Sequence, residues 1–177
     1  KKRRDMSIAF VPENRLGHSA VPELTLSENI LLSQFPDNGF QKKGLIRFDN
    51  IEAQAKKVIE KFNVVTPGPD AKASSLSGGN LQKFVIGREI LSKPKLLIIS
   101  HPTWGIDAGA EHAIRQSLID LAKNGTSIIV ISQDLDELIE ITHRLSVIFN
   151  GKLSKSYDTR EISISQIGLL MGGHKVD

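Results

Sequence analysis

The sequence predicts an α/β fold with a parallel sheet at its core. Two runs of consecutive apolar residues, 96–99 (LLII) and 128–131 (IIVI), are short and fully apolar, as is typical of strands buried inside a parallel sheet. Between them lies a segment with apolar residues at helical spacing that ends at Asn124-Gly125, a common helix stop. A strand, a helix and a second strand in this order favour a sheet covered by helices. Further along the chain, a helix is predicted over residues 135–141, a strand over 145–149 and a tight hairpin turn at Asn150-Gly151.

The first predicted element is a short buried strand at residues 7–11, which Pro12 ends. Glu13 follows, and by itself it is predicted to be a surface turn residue. The basic cluster at residues 1–4 (KKRR) is short, and a net charge of +3 is mild. This cluster is therefore interpreted as a solvated charged segment rather than a nucleic-acid site.

Residues 24–91 are predicted to be mostly helical. A helix is expected over residues 24–32, with Thr25 or Ser27 as its N-cap and Glu28 in its first turn. Turn-rich stretches follow at 36–39 and 42–44. An amphipathic helix is then predicted from apolar residues at helical spacing: Ile51, Ala55, Val58, Ile59 and Phe62. Two prolines in residues 66–70 (TPGPD) end this region of regular structure.

A serine, two glycines and the start of a helix coincide in residues 75–83 (SLSGGNLQK). Apolar residues recur at helical spacing at Leu81, Phe84, Val85 and Leu91. The helix is therefore predicted to begin near Gly78 with Ser77 as its N-cap. The first N–H groups of a helix have no internal partners, and glycine lets an anion approach the backbone. The residues alone are compatible with a phosphate site or with an ordinary glycine-rich cap.

The string SLSGGNLQK, followed by an apolar run and then by PTWGID at residues 102–107, resembles the signature motif and D-loop of ABC-transporter ATPases. The resemblance implies a partial P-loop NTPase fold with a helical subdomain. It divides the chain into a core strand and Q-loop (1–23), a helical subdomain ending in the signature helix (24–91), a core with Walker B, D-loop and H-loop positions (92–152), and a tail (153–177).

The resemblance also implies roles for individual residues. The terminal phosphate of an ATP that is held mainly by a second ATPase domain would be bound in trans by Ser77, Gly78 and Gly79. Asp107 takes the D-loop position, where it would cross the dimer interface, although an aspartate there is equally the N-cap of the next helix. Glu13 takes the Q-loop position, where many members have glutamine, and a carboxylate can still contact a metal ion.

Three catalytic positions of the family are altered. Ser100 and His101 stand where an aspartate holds Mg²⁺ and a glutamate polarises the attacking water, and neither replaces a carboxylate well. His101 is either a weak base or a non-catalytic, hydrogen-bonded histidine. Gln133 stands where the switch histidine contacts the terminal phosphate, and glutamine can donate a hydrogen bond but cannot carry a charge. No intact catalytic or metal site is predicted in this chain.

The phosphate loop Gly-x-x-x-x-Gly-Lys-Ser/Thr is missing from the 177 residues, whose only Gly-Lys pair, Gly151-Lys152, is followed by Leu153. We therefore expect a C-terminal portion of a longer protein, cut before the Q-loop. Within the family, the chain looks most like the second ATPase half of simple-sugar or nucleoside importers, on the evidence of residues 66–70, Asn80 and residues 102–109 (PTWGIDAG). In those proteins two ATPase halves share one chain, and the catalytic site of the second half is often degenerate.

The resemblance implies partners, cofactors and a location. The partners would be the N-terminal ATPase half, transmembrane permease subunits and, indirectly, a solute-binding protein. ATP and Mg²⁺ would be bound by the full-length protein, which would hydrolyse ATP at the cytoplasmic face of the membrane, whereas these residues alone would be inactive. The apolar runs are far too short to span a bilayer, and the absence of cysteine excludes disulfides and thiolate metal sites.

Two other interpretations stay open. A nucleic-acid-associated ABC ATPase would share the signature, but it would need long coiled coils or a strong basic stripe, and neither is seen. No nucleic-acid partner is therefore expected. A non-enzymatic regulatory or interaction module would have kept the fold and lost the chemistry.

Overall fold

A three-stranded parallel sheet lies in the first of the two units into which the chain divides. The computed structural model describes residues 6–34 and 39–176. The first unit runs to Ile131 and the second begins at Ser132. The predicted basic cluster at residues 1–4 and most of the turn predicted at 36–39 lie outside the described residues. The functional division at residues 23, 91 and 152 stays a prediction.

The first unit contains, in chain order, β1 (Ile8–Val11), α1 (Leu26–Gln34), β2 (Gln41–Lys42), β3 (Leu45–Ile46), α2 (Phe48–Lys61), α3 (Gly78–Leu91), β4 (Leu96–Ser100), α4 (Ala108–Lys123) and β5 (Ser127–Ile131). A short 3-10 turn, Ala73–Ser75, precedes α3. The predicted helices and strands are thus present. The expected burial of residues 128–131 is wrong, because no residue of β5 is buried and one face of the sheet lacks a covering layer. The antiparallel β2–β3 pair interrupts the region that was predicted to be mostly helical.

The sheet has the order β1-β4-β5 with both pairings parallel, which confirms the predicted α/β fold. The register places Phe10, Ile98 and Ile129 side by side on one face. Helices α3 and α4 contact the sheet at β1 and β5, and Val11 and Leu97 are fully buried. On the face that carries Phe10, by contrast, Phe10 is 52% exposed and Ile129 is 50% exposed. One apolar face of this parallel sheet is therefore open, whereas such sheets are ordinarily covered on both faces.

Helix starts follow local capping chemistry. The Thr25 hydroxyl accepts a hydrogen bond from the Glu28 backbone N–H at 3.1 Å, and the Glu28 carboxylate accepts one from the Thr25 N–H at 2.8 Å. This reciprocal pair selects Thr25 over Ser27 as the cap of α1. In α2, Ile51, Ala55 and Val58 are buried, as their spacing predicts.

Helix α3 is buried along most of its length. Its Arg88 is 4% exposed, pairs with Glu89 at 2.7 Å and donates to the carbonyl oxygen of Ser19 at 2.9 Å. A buried guanidinium needs such partners, because an unpaired buried charge is costly. Arg88 therefore ties the segment after β1 to the middle of α3.

The second unit contains α5 (Leu135–Ile141), β6 (Arg144–Leu145), β7 (Ile148–Phe149), β8 (Lys152–Leu153), β9 (Tyr157–Asp158) and α6 (Ile164–Met171). The single strand predicted at 145–149 is wrong, because β6 pairs with β9 while β7 pairs with β8. The predicted Asn150-Gly151 hairpin turn is confirmed, with φ positive at both residues. Helix α6, which was not predicted, begins with a capping box between Ser163 and Gln166.

Candidate functional site

The candidate site is the N-terminal end of α3. Ser77 is the N-cap, and its hydroxyl accepts a hydrogen bond from the Asn80 backbone N–H at 3.4 Å, as predicted. Gly78 and Gly79 form the start of the helix, and Ser77 and Gly78 are exposed. The first N–H groups of a helix have no acceptor within it, and the helix dipole adds partial positive charge at this end of the 14-residue α3. These groups and the Ser77 hydroxyl lie at one accessible corner. Such an arrangement can bind a phosphate.

The segment between β4 and α4 lies directly against this corner. A Cβ atom added at Gly79 would be 3.0 Å from the carbonyl oxygen of Gly105 and 3.8 Å from the Ile106 Cα. The Gln82 amide, one turn further along α3, donates to the carbonyl oxygens of His101 and Pro102 at 3.2 and 3.3 Å. Glycine at position 79 therefore permits a close approach of two backbones, and Gln82 holds them together.

Asp107 joins the same corner from the start of α4. One carboxylate oxygen accepts a hydrogen bond from the Ala110 N–H at 2.9 Å, which makes Asp107 the N-cap of α4. The other oxygen lies 3.9 Å from Nζ of Lys83 in α3. The hydrogen bond from Ala110 is the main cause that lowers the pKa of Asp107, with the Lys83 charge contributing. Its predicted role as a cap is confirmed, and its role across an interface stays a prediction.

Arg15, which the sequence analysis did not single out, reaches the site from the segment after β1. Its guanidinium donates to the carbonyl oxygen of Trp104. A Cβ atom at Gly78 would lie 2.9 Å from one Arg15 nitrogen, and one at Gly105 would lie 3.1 Å from another. Burial lowers the pKa of Arg15, although an arginine stays charged. No local signal predicts a contact between residues 89 positions apart.

Ser100 and His101, two of the three positions that the resemblance identifies as altered, lie at the carboxyl edge of the sheet. Ser100 ends β4 beside Ile131 of β5, and Glu13 is exposed two residues after β1. His101 adopts a left-handed conformation with φ of 46° and donates its backbone N–H to the Ile131 carbonyl oxygen at 2.8 Å. Its ring lies 5.7 Å from that of Trp104. His101 is thus constrained by its backbone bond and by an aromatic neighbour.

These residues do not form a metal site of their own. Ser100 and His101 offer a hydroxyl and an imidazole, whereas Mg²⁺ prefers carboxylate oxygens. Over residues 6–34 and 39–176, the structure contains no cluster of three or more His, Asp or Glu side chains placed to hold a metal ion. Ser100 and His101 therefore do not supply the carboxylate oxygens that Mg²⁺ prefers, and Glu13 is the one carboxylate named at this edge.

Gln133 lies in the second unit, where it is exposed next to the N-cap of α5, Asp134. The site described above consists of residues of the first unit only. The proposed contact of Gln133 with a nucleotide therefore stays a prediction. No helix in the described part of the chain is both long and apolar enough to cross a membrane.

Comparison with known proteins identifies relatives along the whole chain. The family model described as "ABC transporter" matches residues 1–104. The nucleoside import ATP-binding protein NupA of Lactococcus lactis is 36% identical over 177 residues, which are 100% of this chain and 35% of that protein. The galactose/methyl galactoside import ATP-binding protein MglA of Escherichia coli O6:K15:H31 is 39% identical over 166 residues, 94% of this chain and 33% of that protein. The chain thus spans about a third of the length of these relatives.

A solved structure has the same fold. The dimeric, post-hydrolysis state of an ATP-binding cassette bound to ADP and Pi superposes with a TM-score of 0.74, covering 91% of this chain and 66% of that one. At 22% sequence identity, this similarity concerns the fold alone. The α/β architecture described above is the one found in that cassette.

Proposed function

This chain belongs to the ABC transporter family, and we propose that it is part of the ATP-binding subunit of an importer for simple sugars or nucleosides. The observation that carries the proposal is the start of α3, where Ser77 and Gly78 are exposed and Gly79 lies against the segment that leads to Asp107. Relatives whose names specify nucleoside import and galactose import support the class of solute.

The start of α3 acts in trans. Its free N–H groups and the Ser77 hydroxyl bind the terminal phosphate of an ATP that the N-terminal ATPase half of the same protein holds with its own phosphate loop. Arg15 adds positive charge next to Gly78, which favours an anion at this corner. The Mg²⁺ ion belongs with that ATP, where it would stabilise charge on the phosphates, and the residues of this chain supply donors to the phosphate.

The nucleotide site of this half is degenerate. Ser100 and His101 lack the carboxylates that hold Mg²⁺ and polarise water, and Gln133 lacks the charge of a histidine. In this proposal, Glu13 takes the Q-loop position. We infer that this second site binds nucleotide without efficient turnover and that these 177 residues alone do not hydrolyse ATP.

The open face of the sheet supports a place within a longer protein. Phe10, Ile129 and Ile131 are about half exposed, although parallel strands are ordinarily covered on both faces. Since the chain spans about a third of its relatives, we propose that it corresponds to the second ATPase half and that other parts of the full protein cover this face.

Transport follows from closure of the two halves over ATP. Closure moves the helical subdomain, residues 24–91, and with it the permease subunits that this subdomain contacts. A solute-binding protein acts indirectly by delivering the solute to the permease. The full protein would then be a peripheral subunit on the cytoplasmic face of the membrane.

The test is the ATPase activity of the full-length protein assembled with its permease. We expect Ser77→Arg to reduce the rate by at least about 100-fold, because a large side chain occupies the phosphate position and a donor is lost. Ser74→Arg is the matched control, since Ser74 is an exposed serine outside α3, and its activity should equal that of the wild type. Unchanged activity in Ser77→Arg would contradict the proposal and favour a non-enzymatic module.

A further inference from the structure

The side chain of Asn80 connects two segments at the start of α3. Asn80 is the third residue of this helix and is half-buried. Its Oδ1 accepts a hydrogen bond from the backbone N–H of Val65 at 2.9 Å, and its Nδ2 donates to the Ser77 hydroxyl oxygen at 3.0 Å. The segment after α2 is thereby joined to the cap of α3 through a single amide group.

The Val65 contact determines which way the amide faces. A backbone N–H can only donate, so the Asn80 atom opposite Val65 is the carbonyl oxygen. The NH₂ group then faces Ser77, and an NH₂ group can only donate. The Ser77 oxygen must therefore accept this hydrogen bond, in addition to the one from the Asn80 backbone N–H at 3.4 Å.

These two donors fix the direction of the Ser77 hydroxyl proton. A hydroxyl oxygen has two acceptor lone pairs and one proton, and Asn80 occupies both lone pairs. The proton is then the group that points away from Asn80. Because Ser77 is exposed, this proton is available to an acceptor outside the protein, such as an anion at the start of α3.

We propose that Asn80 is a positioning residue that presents Ser77 as a hydrogen-bond donor to the phosphate. The inference rests on the proposed function, in which this phosphate belongs to ATP held by the other half. Asn80 does not touch the phosphate in this account. It acts through Ser77 by keeping the hydroxyl proton aimed outward before the two halves close, so that no reorientation is needed at closure.

Asn80→Asp tests the proposal, because it preserves the size of the side chain and the acceptor for Val65 but places an oxygen opposite Ser77. The Ser77 proton then turns inward to the carboxylate. In the full-length protein assembled with its permease, we expect kcat for ATP hydrolysis to fall by at least about tenfold. KM for ATP should change by less than about twofold, because the other half supplies most of the ATP contacts.

Thermal stability separates this role from a structural one. A carboxylate in the first turn of a helix interacts favourably with the helix dipole, so the melting temperature of Asn80→Asp should equal or exceed that of the wild type. A loss of activity together with a lower melting temperature would assign Asn80 to the stability of the fold and would overturn the proposal.

A double-mutant cycle with Ser77→Ala separates orientation from simple charge repulsion. If Asn80 acts through Ser77, the double variant Ser77→Ala/Asn80→Asp should have a kcat less than about twofold below that of Ser77→Ala alone. If the two losses multiply instead, the carboxylate acts on the phosphate directly and the proposal is wrong.

A Ser77→Arg variant with full activity would overturn the proposed function itself. A Ser77→Arg variant without activity, together with normal kcat in Asn80→Asp, would overturn only the role of Asn80.

Discussion

At the scale of single residues, Asp107 shows how one carboxylate serves two elements. One oxygen caps α4 through Ala110, while the other lies near the ammonium group of Lys83 in α3. Lys83 is 8% exposed and also donates to the Asn63 carbonyl oxygen at 2.8 Å, so its charge is held in place. Asp107 thereby links the start of one helix to the side of another.

Asp107→Ala should destabilise the full-length protein at neutral pH, and the effect should depend on pH. The folded state lowers the pKa of Asp107, mainly through the Ala110 hydrogen bond. Its stabilising effect is therefore complete above the ordinary pKa of an aspartate, about 3.9, and is lost as the pH falls through the lower folded-state pKa. Denaturation curves of wild type and Asp107→Ala should converge in that acidic range.

Asp107→Asn is the control for this experiment. Asparagine caps helices as well as aspartate does, but it carries no charge and does not titrate. We expect its stability to lie close to that of the wild type at neutral pH. Equal destabilisation by alanine and asparagine would show that the ion pair with Lys83, rather than the cap, is the important contact.

At the scale of elements, α3 organises the first unit because its neighbours are fitted closely around it. A Cβ atom added at Gly87 would lie 2.8 Å from Cγ and 2.9 Å from Cε2 of Phe62. Phe62 directly follows α2 in the chain and is 6% exposed. The absence of a side chain at Gly87 thus allows Phe62 to pack directly on the backbone of α3. This contact sets how closely the end of α2 approaches the site helix.

Gly87→Ala should lower the free energy of unfolding. Overpacking a buried site costs about 1 to 3 kcal/mol, which exceeds the gain of at most about 1 kcal/mol from the better helix propensity of alanine. The same substitution at Gly109 in α4 is the matched control, because its Cβ would meet only Asp107 Oδ1 at an ordinary 3.5 Å. Chemical denaturation of the full-length protein should show opposite signs for the two variants, and equal signs would contradict the packing argument.

At the scale of the whole molecule, the chain has an exposed start of α3 and a sheet edge that ends in Ser100 and His101. Under the proposed function, the start of α3 supplies donors to a phosphate, whereas Ser100 and His101 replace the carboxylates of a catalytic site. Under the same proposal, other parts of the full protein cover the open face of the sheet, where Phe10 and Ile129 are about half exposed. We therefore expect an asymmetric ATPase in which this half completes the working site of its partner half.

His101→Asn tests the asymmetry and decides whether His101 is a base. Asparagine tolerates the left-handed conformation at this position but cannot accept a proton as imidazole does. A general base contributes roughly 100-fold or more to a rate, so a change of less than about twofold in the ATPase activity of the full-length protein is expected for a non-catalytic histidine. A much larger loss, without a change in melting temperature, would instead identify His101 as a catalytic base.

Several features were predictable from the sequence because they depend on residues close together in the chain. Ser77 and Asp107 cap helices through N–H groups three residues further on, and Asn150-Gly151 forms its turn from the φ values of two neighbouring residues. The parallel sheet was predictable because continuous apolar runs are typical of its strands, whereas the exposure of Ile129 and Ile131 on its open face was not. Helix periodicity likewise placed the start of α3 at Gly78.

Only the tertiary structure decided which distant groups meet at the candidate site. The contact of Arg15 with Trp104 and the bond from Val65 to Asn80 join segments that are separated in sequence, so no local pattern encodes them. The same holds for β6 and β7, which follow each other closely but pair with different strands. Local sequence determines caps, turns and strand candidates through short-range chemistry, whereas partner choice depends on the packing of the whole unit.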